Sequence, residues 1–195
     1  MQAEIEATFL DINKEQLREK LKNLGAELLL SETLMRRTIF AIDQRSYVRV
    51  RDEGNRITMS YKHLDKLSLS GMKEICLEVS DYQTAIDFLK ACGLRPKAEQ
   101  ETYREEWRLG KVELDIDTWP WIPSFVEIEG ISEAEVIKAA NQLGYKMTDA
   151  LYGAVDQVYK VYYDVQSDDI NLCPEIKFTD PPKWLNDQRR KQPLH

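Results

Sequence analysis

Eight short segments in which apolar and polar side chains alternate constrain the fold of this chain more than any other feature of its sequence. Strict alternation is typical of strands that bury one face, and the short loops between the segments favour antiparallel neighbours. We place the strands at residues 3–9, 34–42, 46–52, 56–62, 73–80, 101–109, 111–118 and 124–130. The pattern predicts an α+β domain, and closure of its sheet into a barrel would remove the exposed strand edges.

Capping residues mark three helices among these strands. Asn13 precedes a helix over residues 14–24, Asp81 precedes a second helix, and Ser132 opens a third through a capping box. Each of the three ends at a glycine, the residue that most readily takes the left-handed conformation at a helix C-terminus. A fourth helix is predicted around residues 152–165, because its apolar side chains share one face.

Composition and charge exclude several classes of protein. The 195 residues carry a formal charge of −7, which argues against a general nucleic-acid binder because such proteins need a positive surface. The apolar runs are far shorter than the roughly 20 residues of a membrane span, and the N-terminus does not resemble a signal peptide. Three widely spaced cysteines and two histidines disfavour zinc fingers, disulfide scaffolds and Cys/His nucleophiles. We therefore expect a cytoplasmic protein without a nucleic-acid or membrane partner.

One domain accounts for most of the chain. We assign residues 1–165 to it and residues 166–195 to a partly mobile C-terminal extension. The last fifteen residues open with a Pro pair, lack apolar periodicity and carry a net charge of +3, so we predict an extended or mobile appendage there. The oligomeric state cannot be derived from the sequence, and a homodimer is the assembly we expect from general frequency alone.

The polar faces of the predicted strands are segregated by the sign of their charge. Acids recur at alternate positions over 113–117, whereas arginines share one face of 49–51. Like charges at this spacing are unfavourable on a plain surface, but they are tolerated where they share a counterion. One interpretation is a sheet whose charged face only meets water. The other is a curled sheet with carboxylates for Mg²⁺ or Mn²⁺ and basic groups for phosphate oxygens, which suits a triphosphate.

Taken in chain order, the charged motifs resemble those of a known family, the CYTH domain. They are Glu4-Ile-Glu6, Tyr47-Val-Arg49-Val-Arg51-Asp-Glu-Gly, the Tyr61-Lys62 strand end, the Glu74 strand, Arg104, Glu113-Leu-Asp115-Ile-Asp117 and Phe125-Val-Glu127-Ile-Glu129-Gly. The domain is shared by class IV adenylyl cyclases, thiamine triphosphatases and inorganic triphosphatases, the triphosphate tunnel metalloenzymes. The resemblance covers residues 1–165. It implies an eight-stranded, mostly antiparallel closed β-barrel with flanking helices, which binds a triphosphate or nucleotide together with Mg²⁺ or Mn²⁺.

The resemblance also implies a role for each matching residue. Phosphate groups would be held by Arg49, Arg51, Lys62 and Arg104. Metal or an ordered water would be held by Glu4, Glu6, Asp117, Glu127 and Glu129, with Glu113 and Asp115 as further ligands. Within these sets, the residues expected to act in catalysis are Arg51, Lys62 and Glu6.

Two positions depart from the family's pattern. Thr8 stands where the ExExK signature ends in lysine, so it would offer the substrate a neutral hydroxyl, and Cys76 takes the place of a second acid in the fifth strand. We predict slow hydrolysis of an inorganic or organic triphosphate by a metal-oriented water. Two alternatives remain open, namely cyclisation of ATP to cyclic AMP and pyrophosphate and non-catalytic binding of triphosphorylated ligands.

The connection between two acidic strands is rich in Trp and Pro. Its sequence, Trp119-Pro-Trp121-Ile-Pro123, favours a rigid apolar link between the strands. A lid or a base-stacking platform is the alternative.

Overall fold

A computed structural model describes residues 2–194, and it contains the eight strands and the four helices that the sequence predicts, together with shorter elements that the sequence did not indicate. The strands are β1 Gln2–Phe9, β2 Glu27–Ala41, β3 Ser46–Asp52, β4 Ile57–Leu64, β5 Met72–Val79, β6 Pro96–Leu109, β7 Val112–Thr118, β8 Phe125–Gly130 and β9 Glu175–Ile176. The helices are α1 Lys14–Asn23, α2 Tyr82–Ala91, α3 Glu133–Leu143, α4 Asp156–Tyr162, α5 Ser167–Asn171 and α6 Lys183–Asn186, with a 3₁₀ helix at Met147–Asp149. The predicted caps Asn13, Asp81 and Ser132 are confirmed, because the side chain of each accepts a hydrogen bond from a backbone N–H in the first turn of its helix. None of the helices in the part of the chain that the structure describes is long and apolar enough to cross a membrane.

Within residues 2–194, eight strands close into an antiparallel barrel, which confirms the predicted fold. Their order is β2-β3-β4-β5-β1-β8-β7-β6, and β6 pairs back with β2, while β9 adds a short parallel pairing to β6. The β1–β5 junction is short, because β5 pairs only with Gln2–Glu4. Beyond it, the backbone N–H groups of Glu6 and Thr8 donate to the carbonyls of Leu69 and Leu151 at 3.0 and 3.1 Å, which continues the wall.

β2 and β6 are longer than the sequence pattern indicated. They pair from Glu27 opposite Arg108 to Phe40 opposite Pro96, with irregularities in the register on the way. An irregularity of this kind breaks the two-residue alternation of side chains. The pattern therefore identified only residues 34–42 of β2 and 101–109 of β6.

The hydrophobic core lies between the outer surface of the barrel and the helices. α1 and α3 cover β1, β7 and β8 through a buried cluster that includes Leu21, Leu114 and Val136. α2 covers β3 through a second cluster that includes Ile86 and Val50. Because side chains alternate along a strand, burial of the apolar face outward directs the charged face into the barrel.

The C-terminal segment packs against the rest of the molecule. Leu185 is fully buried, and the backbone N–H of Leu194 donates to the carbonyl of Val161 at 3.0 Å. The prediction of an extended tail is therefore wrong for Lys183–Asn186, which form a helical turn anchored by Leu185. A single apolar anchor in a polar segment produces no periodicity in the sequence. The mobility of residues 166–195 stays a prediction.

Candidate active site

The inward faces of the barrel strands line a cavity of about 750 Å³. β2, β3 and β4 form a basic wall, which consists of Arg37, Arg49, Arg51 and Lys62. β1, β7 and β8 form an acidic wall, which consists of Glu4, Glu6, Asp115, Asp117, Glu127 and Glu129. The cavity also reaches the helices α4 and α5. We call the part lined by the β2–β3 hairpin, residues 42–45, the hairpin end.

The basic wall follows from the alternation of side chains along β3 and β4. Arg49 and Arg51 point into the cavity, while Val48 and Val50 pack beneath α2. Arg49, Arg51 and Lys62 are each at most 9% exposed. Charges this well buried require partners, and those partners determine which groups are available to a ligand.

Arg51 is held in place by Glu53, which lies in the turn after β3. The Nε and Nη2 of Arg51 donate to Glu53 Oε1 at 2.8 and 2.6 Å, and Arg56 Nε and Thr58 Oγ1 donate to the same carboxylate at 2.6 and 2.7 Å. Burial alone would raise the pKa of Glu53, but the charge of Arg51 and these hydrogen bonds lower it to about 2. Glu53 therefore stays ionised and orients Arg51.

Lys62 connects the two walls at β1. Its Nζ donates to both carboxylate oxygens of Glu4, at 2.7 and 2.9 Å, while Glu74 Oε1 lies 3.7 Å away. Burial raises the pKa of Glu4 to about 7 even though Lys62 opposes the shift. At Glu74 the charge of Lys62 and a hydrogen bond with Glu4 outweigh burial and lower the pKa to about 2. The two carboxyls of Glu4 and Glu74 therefore share a proton up to a pH close to neutral.

Arg104 of β6 is bound by three carboxylates of the acidic wall. Its Nε and Nη2 donate to the two oxygens of Asp117 at 2.7 and 2.6 Å, its Nη2 also donates to Glu127 at 3.0 Å, and its Nη1 contacts Asp115. Arg104 outweighs burial at Asp117 and lowers the pKa of that carboxyl, whereas burial raises the pKa of Asp115 to about 8. Carboxylates therefore engage four of the five N–H donors of Arg104, and a phosphate group that takes more than one donor has to displace a carboxylate.

The other carboxylates of the acidic wall are less well compensated than Asp117, since Glu127 shares Arg104 with two other acids. Glu6 lies directly opposite Glu129 across β1 and β8, and Glu127 lies opposite Asp115 across β8 and β7. Within residues 2–194, no basic side chain forms an ion pair with Glu6 or Glu129. Burial, together with repulsion from neighbouring carboxylates, raises the pKa of Glu6, Glu127 and Glu129. This wall therefore has an excess of negative charge.

The chemistry of the acidic wall fits a divalent cation. Carboxylate oxygens are the ligands that Mg²⁺ and Mn²⁺ prefer, and a cation near Glu6, Glu127 and Glu129 would relieve the repulsion that raises their pKa values. Among residues 2–194, no group of three or more Asp, Glu, His or Cys side chains is arranged closely enough to hold a metal ion in this conformation. The facing carboxylates would have to close around the ion, and phosphate oxygens would complete its coordination.

Two of the predicted site residues do not line the cavity. Thr8 lies opposite Glu127 and is only 4% exposed, and its backbone bridges to Leu151. Glu113 is exposed to solvent and accepts a hydrogen bond from Arg108 Nη2 at 3.2 Å. All the other predicted site residues meet at the cavity.

Arg37 lines the cavity although the sequence pattern did not indicate it. β2 presents Arg37, Ile39 and Ala41 to the interior, while Phe40 packs outward beneath α2. A single charge among apolar neighbours looks like an ordinary buried face, so alternation gave no signal. The available signal was the pair Arg36 and Arg37 within an otherwise apolar strand.

Further polar residues that the sequence pattern missed line the cavity from α4 and α5. Asp156 of α4 is 4% exposed and accepts hydrogen bonds from Gln157 Nε2 at 2.6 Å and Ser167 Oγ at 2.5 Å, with Lys160 Nζ at 3.9 Å. The sequence showed α4 as a packing helix with aromatic residues on one face. Its polar side faces the cavity only because the helix docks over the barrel.

Comparisons with known proteins agree with this geometry. The CYTH domain family model matches residues 2–162. No curated protein matches the sequence. Among solved structures, a protein of Pyrococcus horikoshii superposes with a TM-score of 0.66 at 25% identity, over 75% of this chain and 93% of its own.

Two further structures are similar in fold alone, because their identity is low. A candidate adenylate cyclase of Vibrio parahaemolyticus has a TM-score of 0.69 at 12% identity and covers 82% of this chain and 98% of its own. A candidate adenylyl cyclase of Hippeastrum, with a dominant triphosphatase activity, has a TM-score of 0.51 at 18% identity and covers 79% of this chain and 91% of its own.

Proposed function

This chain belongs to the CYTH domain family, and we propose that it hydrolyses a triphosphate substrate in its barrel cavity with a divalent metal ion. The observation that carries the proposal is the pair of walls, one basic and one acidic, that face each other across a single cavity. A polyphosphate supplies the negative charge that the basic wall binds. A divalent cation supplies the positive charge that the acidic wall lacks.

The basic wall would bind and orient the phosphate chain. Arg49, Arg51 and Lys62 line the cavity from neighbouring strands and are buried, so their hydrogen bonds to phosphate oxygens form with little competition from water. Glu53 fixes the guanidinium of Arg51 before the substrate arrives. A preoriented donor of this kind stabilises charge that develops on the phosphates during the reaction.

The acidic wall would hold the metal ion and manage the proton of the attacking water. Glu127 and Glu129 would hold Mg²⁺ or Mn²⁺, which when bound neutralises phosphate charge and acidifies water. Glu6 has a raised pKa and forms no ion pair within residues 2–194, so it suits the role of proton acceptor. The water oxygen attacks the terminal phosphorus, the bond from that phosphorus to the bridging oxygen breaks, and the proton passes to Glu6. Lys62 stabilises the departing phosphate groups, and Arg51 stabilises the phosphoryl group under attack.

The hairpin end of the cavity favours an organic substituent on the triphosphate. Ile42 and Leu67 line this part and are exposed, so they offer apolar surface against which a base or ring can pack. This observation keeps cyclisation as a second candidate, in which a ribose 3′-hydroxyl attacks the α-phosphorus and pyrophosphate leaves. The neutral Thr8 in the lysine position supports the third candidate, binding without turnover.

Product analysis separates the three candidates. The protein would be incubated with ATP, inorganic tripolyphosphate or thiamine triphosphate, with Mg²⁺ or Mn²⁺. Hydrolysis releases phosphate, cyclisation releases cyclic AMP and pyrophosphate, and a binder releases nothing while calorimetry reports affinity. Glu127→Gln should reduce turnover, whereas the matched control Glu113→Gln should not, because Glu113 lies outside the cavity. The proposal would be refuted if the protein released no product from any of these substrates and bound none of them.

A further inference from the structure

Three buried N–H donors that line the cavity have no acceptor among residues 2–194. They are Arg37 Nε, Arg49 Nε and Trp119 Nε1. Buried donors are nearly always hydrogen-bonded in folded proteins, so unpaired ones need an explanation. Trp119 and Arg37 are each 5% exposed, and the guanidinium of Arg37 lies over the Trp119 ring at 4.6 Å. The side chains of Arg37 and Trp119, which carry two of the three donors, are therefore in contact.

Arg37 differs from the other arginines of the cavity in its partners. Arg51 is paired with Glu53, and Arg104 is paired with Asp117 and its neighbours. Within residues 2–194, Arg37 forms no ion pair, and its side-chain hydrogen bond is one from Nη2 to Thr102 Oγ1 at 2.6 Å. Burial and the charges of Arg51, Arg49 and Arg104 lower its pKa well below the ordinary value.

Asp117 does not compensate Arg37, although its charge acts on it. Both carboxylate oxygens of Asp117 are already bound by Arg104, at 2.7 and 2.6 Å. A buried guanidinium without a paired carboxylate destabilises the free protein. An anion in contact with Arg37 would remove that cost.

The register of the strands places Arg37 at one end of the basic wall. Arg37 lies directly opposite Arg51, whereas Ile39 lies opposite Arg49, two residues closer to the 42–45 hairpin. Two residues of strand correspond to about 7 Å. Lys62, paired with Tyr47, lies another two residues closer to the hairpin. Arg37 and Arg51 therefore form the level of the wall that is farthest from the hairpin end.

We propose that Arg37 and Trp119 form an anion subsite for the terminal phosphoryl group of the substrate. The Nε–H of Arg37 and the indole N–H of Trp119 donate to its oxygens, and the ring of Trp119 holds the guanidinium in place. This subsite rests on the proposed function and deepens it, because it assigns the orientation of the chain. The terminal phosphoryl group lies at the Arg37 level and any organic substituent lies at the hairpin end.

Calorimetry with inorganic tripolyphosphate tests the subsite. Arg37→Met should weaken binding by about ten- to hundredfold, since it removes a charge-assisted contact. The affinity of Arg37→Met for pyrophosphate should fall less than its affinity for tripolyphosphate, because pyrophosphate can still bind at the levels of Arg49 and Lys62. The matched control is Arg36→Met, which changes the exposed neighbour in the same strand and should leave both affinities unchanged.

Thermal unfolding of the ligand-free variants separates a binding role from a structural one. If Arg37 serves an anion, Arg37→Met raises Tm without ligand and reduces the Tm shift that tripolyphosphate causes. If Arg37 is only structural, the variant lowers Tm and leaves affinity unchanged, and the subsite is refuted. Trp119→Phe, which keeps an aromatic ring beside Arg37 and removes the N–H, should weaken tripolyphosphate binding by about two- to tenfold and provides a second test. Failure of both the natural protein and Arg36→Met to bind tripolyphosphate would instead refute the proposed function.

Discussion

The basic and acidic walls of the cavity are built by the same alternation of side chains, yet they compensate charge in different ways. Arg51 on the basic wall has a dedicated partner, Glu53, whose pKa falls to about 2. On the acidic wall, Glu6 faces Glu129 across two strands, and the pKa values of both rise. On the basic wall the protein compensates Arg51 but leaves Arg37 without a paired carboxylate among residues 2–194, and the acidic wall awaits positive charge from outside. A substrate that arrives as a metal–polyphosphate complex matches this asymmetry.

The largest expected effect comes from breaking the compensated pair on the basic wall. Arg51→Met leaves Glu53 buried, at 1% exposure, with a charge that only Arg56 and Thr58 still contact. Removing one partner of a buried ion pair typically costs about 3–5 kcal/mol. Because Arg56 still pairs with Glu53 at 2.6 Å, we expect a decrease near the lower end of that range in the free energy of unfolding, measured by urea denaturation, together with loss of tripolyphosphate binding.

The double variant Arg51→Met/Glu53→Gln is the control for this prediction. The double variant also removes the buried charge of Glu53, so it should recover most of the lost stability but none of the tripolyphosphate binding. If Arg51→Met were as stable as the natural protein, the description of Arg51 and Glu53 as a compensated pair would be wrong.

The next effect concerns metal at the acidic wall. Glu127→Gln/Glu129→Gln removes two carboxylates that line the cavity. Each contact to a charged group is worth about 1.5–3 kcal/mol, so Mn²⁺ affinity in the presence of tripolyphosphate should fall by about a hundredfold or more. Calorimetry measures this change, with Glu113→Gln as the control outside the cavity. Unchanged Mn²⁺ affinity in the double variant would contradict the metal assignment.

The two walls also predict opposite dependences of stability on pH. Folding raises the pKa of Glu4 from 4.5 to about 7 and that of Asp115 from 3.8 to about 8. The folded state therefore binds more protons than the unfolded state between these values, and stability falls as pH rises from about 5 to 8. Glu53 and Glu74, lowered to about 2, stabilise the fold above pH 4.5, and this contribution is lost as pH falls towards 2.

Chemical denaturation of the metal-free protein between pH 5 and 8 measures this dependence. Each fully titrating carboxyl changes the free energy of unfolding by about 1.4 kcal/mol per pH unit. The slope should be smaller when Mn²⁺ and tripolyphosphate are bound, because the acidic wall is then ionised in the folded state. A free energy of unfolding that increases from pH 6 to pH 8 in the metal-free protein would be the opposite of the expected result.

The smallest effect is expected at Thr8, where the chain departs from the ExExK signature. Thr8 lies opposite Glu127 but outside the cavity lining, so a lysine there would have to extend towards the phosphate chain. Thr8→Lys should raise kcat/KM for a triphosphate by about tenfold, the lower limit for one added charge-assisted contact. Thr8→Met adds similar length without charge and should give no gain. An equal rate for Thr8→Lys and the natural protein would mean that another basic residue already fills this role.

The sequence predicted the barrel well because one face of nearly every strand is apolar and the other is charged. Arg49, Arg51, Lys62 and the acids of β1, β7 and β8 meet at the cavity for that reason. Arg37 escaped the pattern because its neighbours on the same face of β2 are apolar. Glu105 is the opposite case, because it is a charged residue on the outer, apolar face of β6. Its carboxylate accepts hydrogen bonds from Arg18 Nη2 of α1 at 2.7 Å and from Trp107 Nε1 at 2.6 Å.

The position of a residue along the barrel axis could not be predicted from alternation. Glu113 shares a face of β7 with Asp115 and Asp117. It nevertheless lies outside the cavity, where it pairs with Arg108. Likewise, the approach of Asp156 to the cavity depends on how α4 docks, which is a tertiary contact between distant parts of the chain. Local patterns determine which way a side chain points, whereas closure and docking determine what it reaches.

The most direct test of the central claim is whether metal and polyphosphate bind cooperatively to the two walls. Thermal unfolding would be followed with tripolyphosphate alone, with Mn²⁺ alone and with both, at moderate salt. Saturation at 100 times Kd corresponds to about 2.7 kcal/mol of added stability. We predict that the combined Tm shift exceeds the sum of the separate shifts, and that Arg51→Met/Glu53→Gln and Glu127→Gln/Glu129→Gln each abolish the excess. Strictly additive shifts, or no shift with tripolyphosphate, would show that the walls do not share a ligand.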